Sequence, residues 1–244
     1  MDGPKVSTAT PQPRLLVIEY ALPLGTGLLF FWDLFWQALS SAFLLFIIER
    51  GVYMRLMEEK ILTEGKVLPG QILKVGSFLN QQIDTALLAQ IGQEVTRLYA
   101  GEEVSKVLTI ESSGIAIAAA VAMTMGVPVV FAKKHKSSNV DGEVYTAPVH
   151  SYTHNADYTI VVSSDYLRPE DKVLLVDDFL ANGKALMGLA ELVTKAGATL
   201  VGAAIAIEKG FQGGGDALRA QGVRVESLAI IDSMDDTGIT FRPQ

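Results

Sequence analysis

From residue 54 onward, short apolar runs alternate with stretches whose apolar positions recur every three or four residues. Leu88, Ile91, Val95 and Leu98 form such a stripe and predict a helix over 85–99, with Asp84 placed to cap it. Residues 104–110 read as a strand, 115–125 as an Ala-rich helix and 128–132 as a second strand. Residues 158–163 and 173–176 predict further strands, 185–196 a helix with Gly197 at its end, and 200–207 another strand. Between them, 133–155 is polar, with Ser137-Ser138-Asn139 and Asp141-Gly142, and predicts a mobile loop or a hairpin. This alternation implies an α/β fold, an open and mostly parallel sheet flanked by helices. Such a sheet takes its ligand beyond the carboxyl ends of its strands.

One stretch stands out at such an end. In VLLVDDFLANGKA, residues 173–185, four residues apolar on both faces suit a central parallel strand. They run into Asp177 and Asp178, and the loop 179–184 then enters a helix marked by Leu186, Leu189, Ala190 and Val193. Free N–H groups and the helix dipole favour a phosphate at that point. A Walker A loop does not fit, since Asp178 stands where its first glycine would be and Ala185 where its Ser or Thr would be. Bare phosphate would also repel the carboxylates. They suit hydroxyls or a hydrated Mg²⁺ instead, which makes a ribose phosphate the ligand carrying both parts.

The hydrophobic run, Asp-Asp pair and small-residue loop resemble the phosphoribosyl pyrophosphate (PRPP) motif of the type I phosphoribosyltransferases. Further segments resemble the branch of that family that acts on xanthine in bacterial purine salvage. They are Gln71-Ile-Leu-Lys-Val-Gly-Ser-Phe-Leu-Asn80, Thr109-Ile-Glu-Ser-Ser-Gly114, Val129-Val-Phe-Ala-Lys-Lys-His-Lys136 and Ile207-Glu-Lys-Gly-Phe-Gln212. The resemblance covers nearly all of 54–244 and implies the type I fold with a small hood formed by N- and C-terminal segments. It implies transfer of the phosphoribosyl group of PRPP to N9 of xanthine, with Mg²⁺ carried by PRPP, in a cytoplasmic homodimer. It places the 5-phosphate on Ala181, Asn182, Gly183, Lys184 and Ala185, the ribose hydroxyls on Asp177 and Asp178, and the pyrophosphate on Glu111, Ser112, Ser113 and Gly114. Leu73, Asn80 and Lys209 match the family's base-binding positions.

The chemistry agrees with those roles. Loss of pyrophosphate leaves positive character at the anomeric carbon, which carboxylates stabilise while amides and Mg²⁺ steady the leaving group. Positioning supplies much of the acceleration, so no acid or base is assigned. Lys133, Lys134 and Lys136 form either a closing lid over the pyrophosphate or a solvated basic surface. Lys209 is a donor-only side chain, suited to the carbonyl oxygens of xanthine at C2 and C6, whereas guanine and hypoxanthine leave a polar group unpaired at C2. Salvage of those two bases remains the alternative, as does a PRPP-sensing regulator on the same fold. The regulator would need a basic DNA-binding segment.

Other features carry less. His150 and His154 are four apart but lack the glutamate of a zinc motif. Gly213-Gly214-Gly215 predicts a flexible turn, with no strand-loop-helix signal around it. Ser112 and Ser113 lack a nucleophile elbow. With a net charge of -7 and a pI near 5.0, the chain has no general attraction to nucleic acid. With no cysteine it forms no disulfide or thiolate metal site.

Residues 1–53 differ from the rest. Residues 28–48 carry a single charge, Asp33, and are long and apolar enough to span a bilayer, with Arg50, Arg55 and Lys60 following. Either they are a membrane anchor with the remainder in the cytoplasm, or the natural protein starts at Met54 or Met57. The division is thus 1–53 as an apolar extension and 54–244 as the phosphoribosyltransferase domain.

Overall fold

The computed structural model describes residues 56–134, 142–151 and 156–244. The extension 1–53, the boundary at Met54, Lys136 and His154 lie outside the described residues. Helix α1 (56–64) buries Met57 and Ile61, one turn apart, and leads into a small antiparallel ribbon. The ribbon pairs β1 (Lys66–Leu68) with β2 (Ile72–Lys74), setting Val67 opposite Leu73. A π-helical turn, Gly76–Asn80, follows. Asp84 then caps α2 (Thr85–Leu98), its carboxylate accepting from the Ala86 and Leu87 amides at 3.1 Å each.

Next come β3 (Lys106–Ile110), α3 (Gly114–Met125), β4 (Val129–Ala132), β5 (Val144–Ser151), β6 (Ala156–Ser163), β7 (Lys172–Leu180), α4 (Lys184–Lys195) and β8 (Thr199–Lys209). A 3₁₀ turn, Gly210–Gln212, leads to α5 (Gly214–Ala220), β9 (Val225–Asp235) and β10 (Gly238–Phe241). The main sheet has the order β10-β9-β8-β7-β3-β4, parallel throughout except for β10 at one edge. Chain order reverses between β3 and β7, the first strand being followed outward by β4 on one side and β7 on the other. That reversal opens a crevice at the carboxyl ends of β3 and β7.

Strand β7 is central, as its composition implies. Leu174 and Val176 join the core against α2, α3 and the hood, while Val173 and Leu175 join the core under α4 and the β5–β6 ribbon. Buried Leu73, Val75, Phe78 and Leu79 share the first core with Leu228, Ile231 and Met234 of β9, so the hood is built from N- and C-terminal segments packed as one.

Three expectations change. Strand 158–163 forms, as β6, but outside the main sheet, because it pairs antiparallel with β5 in a two-stranded sheet that sets Ile160 opposite Ala147. The polar segment before it is therefore partly a hairpin, whose inward residues Val149 and Ile160 are buried beneath α4. Gly188 permits that contact, since a methyl group there would lie 2.5 Å from Val149 Cγ2. Second, β7 does not stop at Val176. It continues through the aspartates to Leu180, because β8 is long enough to pair Phe179 with Ile207 and Leu180 with Glu208. The loop shrinks to Ala181, Asn182 and Gly183. Third, Gly213-Gly214-Gly215 does follow a strand and open a helix, with the short 3₁₀ turn hiding the pattern in the sequence.

Candidate active site at the sheet crossover

Asp177 and Asp178 lie near the end of β7, 5% and 8% exposed, facing a crevice bordered by the loops after β3 and β7. The Asp178 amide donates to Asp177 Oδ1 at 2.9 Å. The two loops meet tightly here. A methyl group on Gly114, the first residue of α3, would fall 2.3 Å from Thr109 Oγ1 and 2.8 Å from Asp177 Oδ1. The Thr109 hydroxyl is fully buried and has no hydrogen-bond partner among the described residues. Gly114, where the loop after β3 ends, is thus brought against Asp177.

Electrostatics at the pair are unfavourable without a ligand. Burial holds the Asp177 carboxyl well above the usual carboxylate range, and the neighbouring Asp178 charge pushes it the same way. Lys134 opposes the shift. Its amide donates to Glu111 Oε1 at 2.6 Å, and its Nζ sits 5.6 Å from the Tyr158 ring centroid. Burial, followed by the charge of Asp177, raises the Tyr158 hydroxyl.

Helices α3 and α4 both begin at this crevice without a side-chain cap, unlike α2 with Asp84. Gly183 takes φ of +81°, the left-handed conformation that glycine adopts without strain, and so turns the chain from β7 into α4. Asn182 Oδ1 accepts from the Lys184 amide at 3.2 Å, shaping the loop. First-turn amides of α4 have no acceptor within the helix and face the loop end.

At the hood side of the crevice, Lys209 ends β8. Its Nζ donates to the Gln71 carbonyl at 3.1 Å and lies 5.9 Å from the Phe179 ring centroid. Burial lowers its pKa. Gln71 is two residues from Leu73, so this bond ties Lys209 to the hood ribbon.

A model of the phosphoribosyl transferase domain matches residues 75–240 of the chain. The chain belongs to the phosphoribosyltransferase family.

Its relatives within that family are close. It is 54% identical over 192 residues to "Xanthine phosphoribosyltransferase" of Bifidobacterium longum (strain NCC 2705), covering 78% of this chain and 100% of that protein. It is 50% identical over 191 residues to the protein of the same name from Lachnoclostridium phytofermentans, covering 78% of this chain and 98% of the relative. Among solved structures, adenine phosphoribosyltransferase from Giardia lamblia complexed with 9-deazaadenine superposes with a TM-score of 0.62 at 26% identity, over 71% of this phosphoribosyltransferase and 96% of that chain. The Trypanosoma brucei enzyme in complex with AMP, pyrophosphate and ribose-5-phosphate gives 0.62 at 20% identity, over 75% and 82%, a likeness of fold. The sheet with its hood is the type I phosphoribosyltransferase fold.

The residues singled out in the sequence divide accordingly. Asp177, Asp178, the loop 181–185 and the segment 111–114 share the crevice. Lys133 and Lys134, just past the end of β4, have different surroundings. Lys134 belongs to the crevice, whereas Lys133 pairs its backbone with Val161 and lines a cavity of about 860 Å³ along β4, with Lys106, Phe131 and Tyr166. Leu73 is buried in the hood core, and Asn80 is exposed at the end of the π-turn. Tyr158 carries no signal in the sequence pattern that marks it for the site, and Thr109 and Phe179 lie inside quoted segments without a role of their own. Phe179 was accessible in principle, since strand alternation sets it two places from Asp177, but ending the strand at Val176 concealed it.

Proposed function

We propose that this phosphoribosyltransferase transfers the 5-phosphoribosyl group of PRPP to N9 of xanthine, forming xanthosine 5'-monophosphate and pyrophosphate in purine salvage. The observation that carries the reading is the buried Asp177–Asp178 pair set between two uncapped helix N-termini. It joins unneutralised negative charge to amide donors at adjacent points, which is the division a ribose bearing phosphates requires. Relatives that are 50% and 54% identical over 78% of the chain, and are named for xanthine, support the choice of base.

In this reading, amides of 181–185 hold the 5-phosphate and those of 111–114 the pyrophosphate. Asp177 and Asp178 accept hydrogen bonds from the ribose hydroxyls and stabilise the positive character that develops at the anomeric carbon as pyrophosphate leaves. The donor set fits Mg²⁺ brought by PRPP, because two buried carboxylates leave room for phosphate oxygens and water as the other ligands. When bound, Mg²⁺ neutralises charge on the departing pyrophosphate. Lys134, positioned by Glu111 and Tyr158, adds a cation on the same side. Lys209, Leu73 and Asn80 receive the base, with the partly desolvated Lys209 ammonium directed at a carbonyl oxygen. The family resemblance extends the proposal to a cytoplasmic homodimer; among the described residues no helix is long and apolar enough to cross a membrane.

Incubating the protein with Mg²⁺, PRPP and each purine in turn tests this. Xanthine is expected to turn over fastest. Faster guanine or hypoxanthine would reassign the base, and no turnover with any purine would favour a PRPP-binding regulator. Lys209→Met is expected to lower kcat/KM for xanthine by about tenfold to a hundredfold, as loss of one half-buried charged donor implies, and to affect hypoxanthine less. Equal losses for both bases would remove Lys209 from the reading of C2.

We further propose that 54–244 carries the transferase without 1–53. Purified 54–244 is then expected to match the full chain in kcat within about twofold, a difference too small to mark a lost catalytic interaction. A greater loss would assign the extension a part in the enzyme.

A further inference from the structure

The triplet Gly213-Gly214-Gly215 lies in the turn where α5 begins, and each glycine meets a different surrounding. Gly213 has φ of +73° with no atom within 4 Å of the position a methyl group would take. Gly214 is pressed against the loop between β7 and α4. A methyl group on it would stand 2.3 Å from the Ala181 carbonyl oxygen and 2.5 Å from both Asn182 C and Gly183 N. Its own amide donates to the Ala181 carbonyl at 3.2 Å. Gly215 instead abuts Glu208, whose Oε1 would lie 2.0 Å from an added methyl group.

A second contact repeats the connection. Leu218, one turn along α5 and buried, places its Cδ1 3.5 Å from the corresponding point on Gly183. Helix α5 therefore supports Ala181, Asn182 and Gly183 from behind at both ends of the loop. Its own anchorage is polar and reaches the C-terminal edge of the sheet. Asp216 accepts from Arg242 at 2.8 and 3.2 Å, and Arg242 in turn donates to Asp232 at 2.8 Å.

We propose that Gly214 is a positioning residue for PRPP, holding the backbone amides of 181–183 at the separation from α4 that a phosphate requires. The proposal rests on the reading that this loop takes the 5-phosphate. Close packing is the physical reason. A three-residue turn whose backbone touches another backbone cannot relax away from an intruding methyl group without moving its amides, and an error of about 1 Å in such a site is worth on the order of a hundredfold in rate.

Steady-state kinetics on the full chain separate the possibilities. Gly214→Ala is expected to raise KM for PRPP by about tenfold or more while KM for xanthine changes by less than about threefold. Leu218→Ala, which removes support without intruding, is expected to shift KM for PRPP in the same direction by a smaller factor. Gly215→Ala disturbs Glu208 rather than the loop, so it is expected to lower the melting temperature with KM for PRPP near that of the unaltered protein. Titration with ribose 5-phosphate gives the same comparison without catalysis. Should Gly214→Ala fail to fold, the Leu218→Ala result decides. An unaltered KM for PRPP in every folded α5 variant overturns the proposal. Failure of the unaltered protein to bind PRPP or ribose 5-phosphate would instead overturn the reading on which it rests.

Discussion

Replacing Asp177 with asparagine is expected to stabilise the unliganded protein at pH 7 while lowering turnover by about a hundredfold or more. The Asp177 carboxyl is held above its ordinary range by burial and by the adjacent Asp178. A raised carboxylate pKa means that the folded chain binds the proton more tightly than the unfolded chain does. Below the ordinary value of 3.8 both states are protonated and no penalty exists. As pH rises from there toward the folded pKa, the unfolded chain ionises first and stability falls, and above that pKa the penalty is complete. Asparagine removes the penalty and can still accept the Asp178 amide through its carbonyl oxygen. Each tenfold difference in proton affinity between the folded and unfolded chains corresponds to about 1.4 kcal/mol, or roughly 3–6 °C in Tm for a domain of this size. Melting curves from pH 4 to pH 8 check it: the two proteins should converge at the acid end and separate as pH rises. Parallel curves would contradict the account of the pair. Adding Mg²⁺ and PRPP should reverse the order, because the ligand neutralises what the asparagine variant no longer carries.

Strain at the pair also explains why it could be recognised from sequence. Two charged residues after VLLV conflict with a strand that is apolar on both faces, and such conflicts concentrate at functional sites. The sheet was legible for a related reason. Runs such as 173–176 and 200–207 are apolar at every position, which only a doubly covered parallel strand tolerates. What the sequence does not display is how strands continue past their apolar parts. Phe179 and Leu180 looked like loop, yet pairing with Ile207 and Glu208 extends β7 beyond the aspartates. Long-range pairing of this kind depends on the partner strand rather than on local composition. The β5–β6 ribbon illustrates the same limit. Its inward residues are patterned like sheet strands, and only the position of α4 decides that they form a separate layer.

Changing Arg219 to leucine is expected to destabilise the protein by roughly 3–5 kcal/mol, lowering Tm by about 10 °C, although Arg219 lies in no part of the crevice. Glu208 on β8 is fully buried, and the Arg219 guanidinium donates to its two oxygens at 2.9 and 2.7 Å. Ser227 donates to the same carboxylate at 2.5 Å. Such a pair need not be worth more than a well-packed apolar one, since the Glu208 charge is removed from water entirely and Arg219 in part. Breaking it is another matter, because the buried carboxylate is then left with a single hydroxyl. The test is therefore a double substitution. Glu208→Gln in the Arg219→Leu background should recover much of the lost stability by removing the uncompensated charge, measured by thermal or urea unfolding. A further loss in the double variant would mean that Arg219 acts through packing alone.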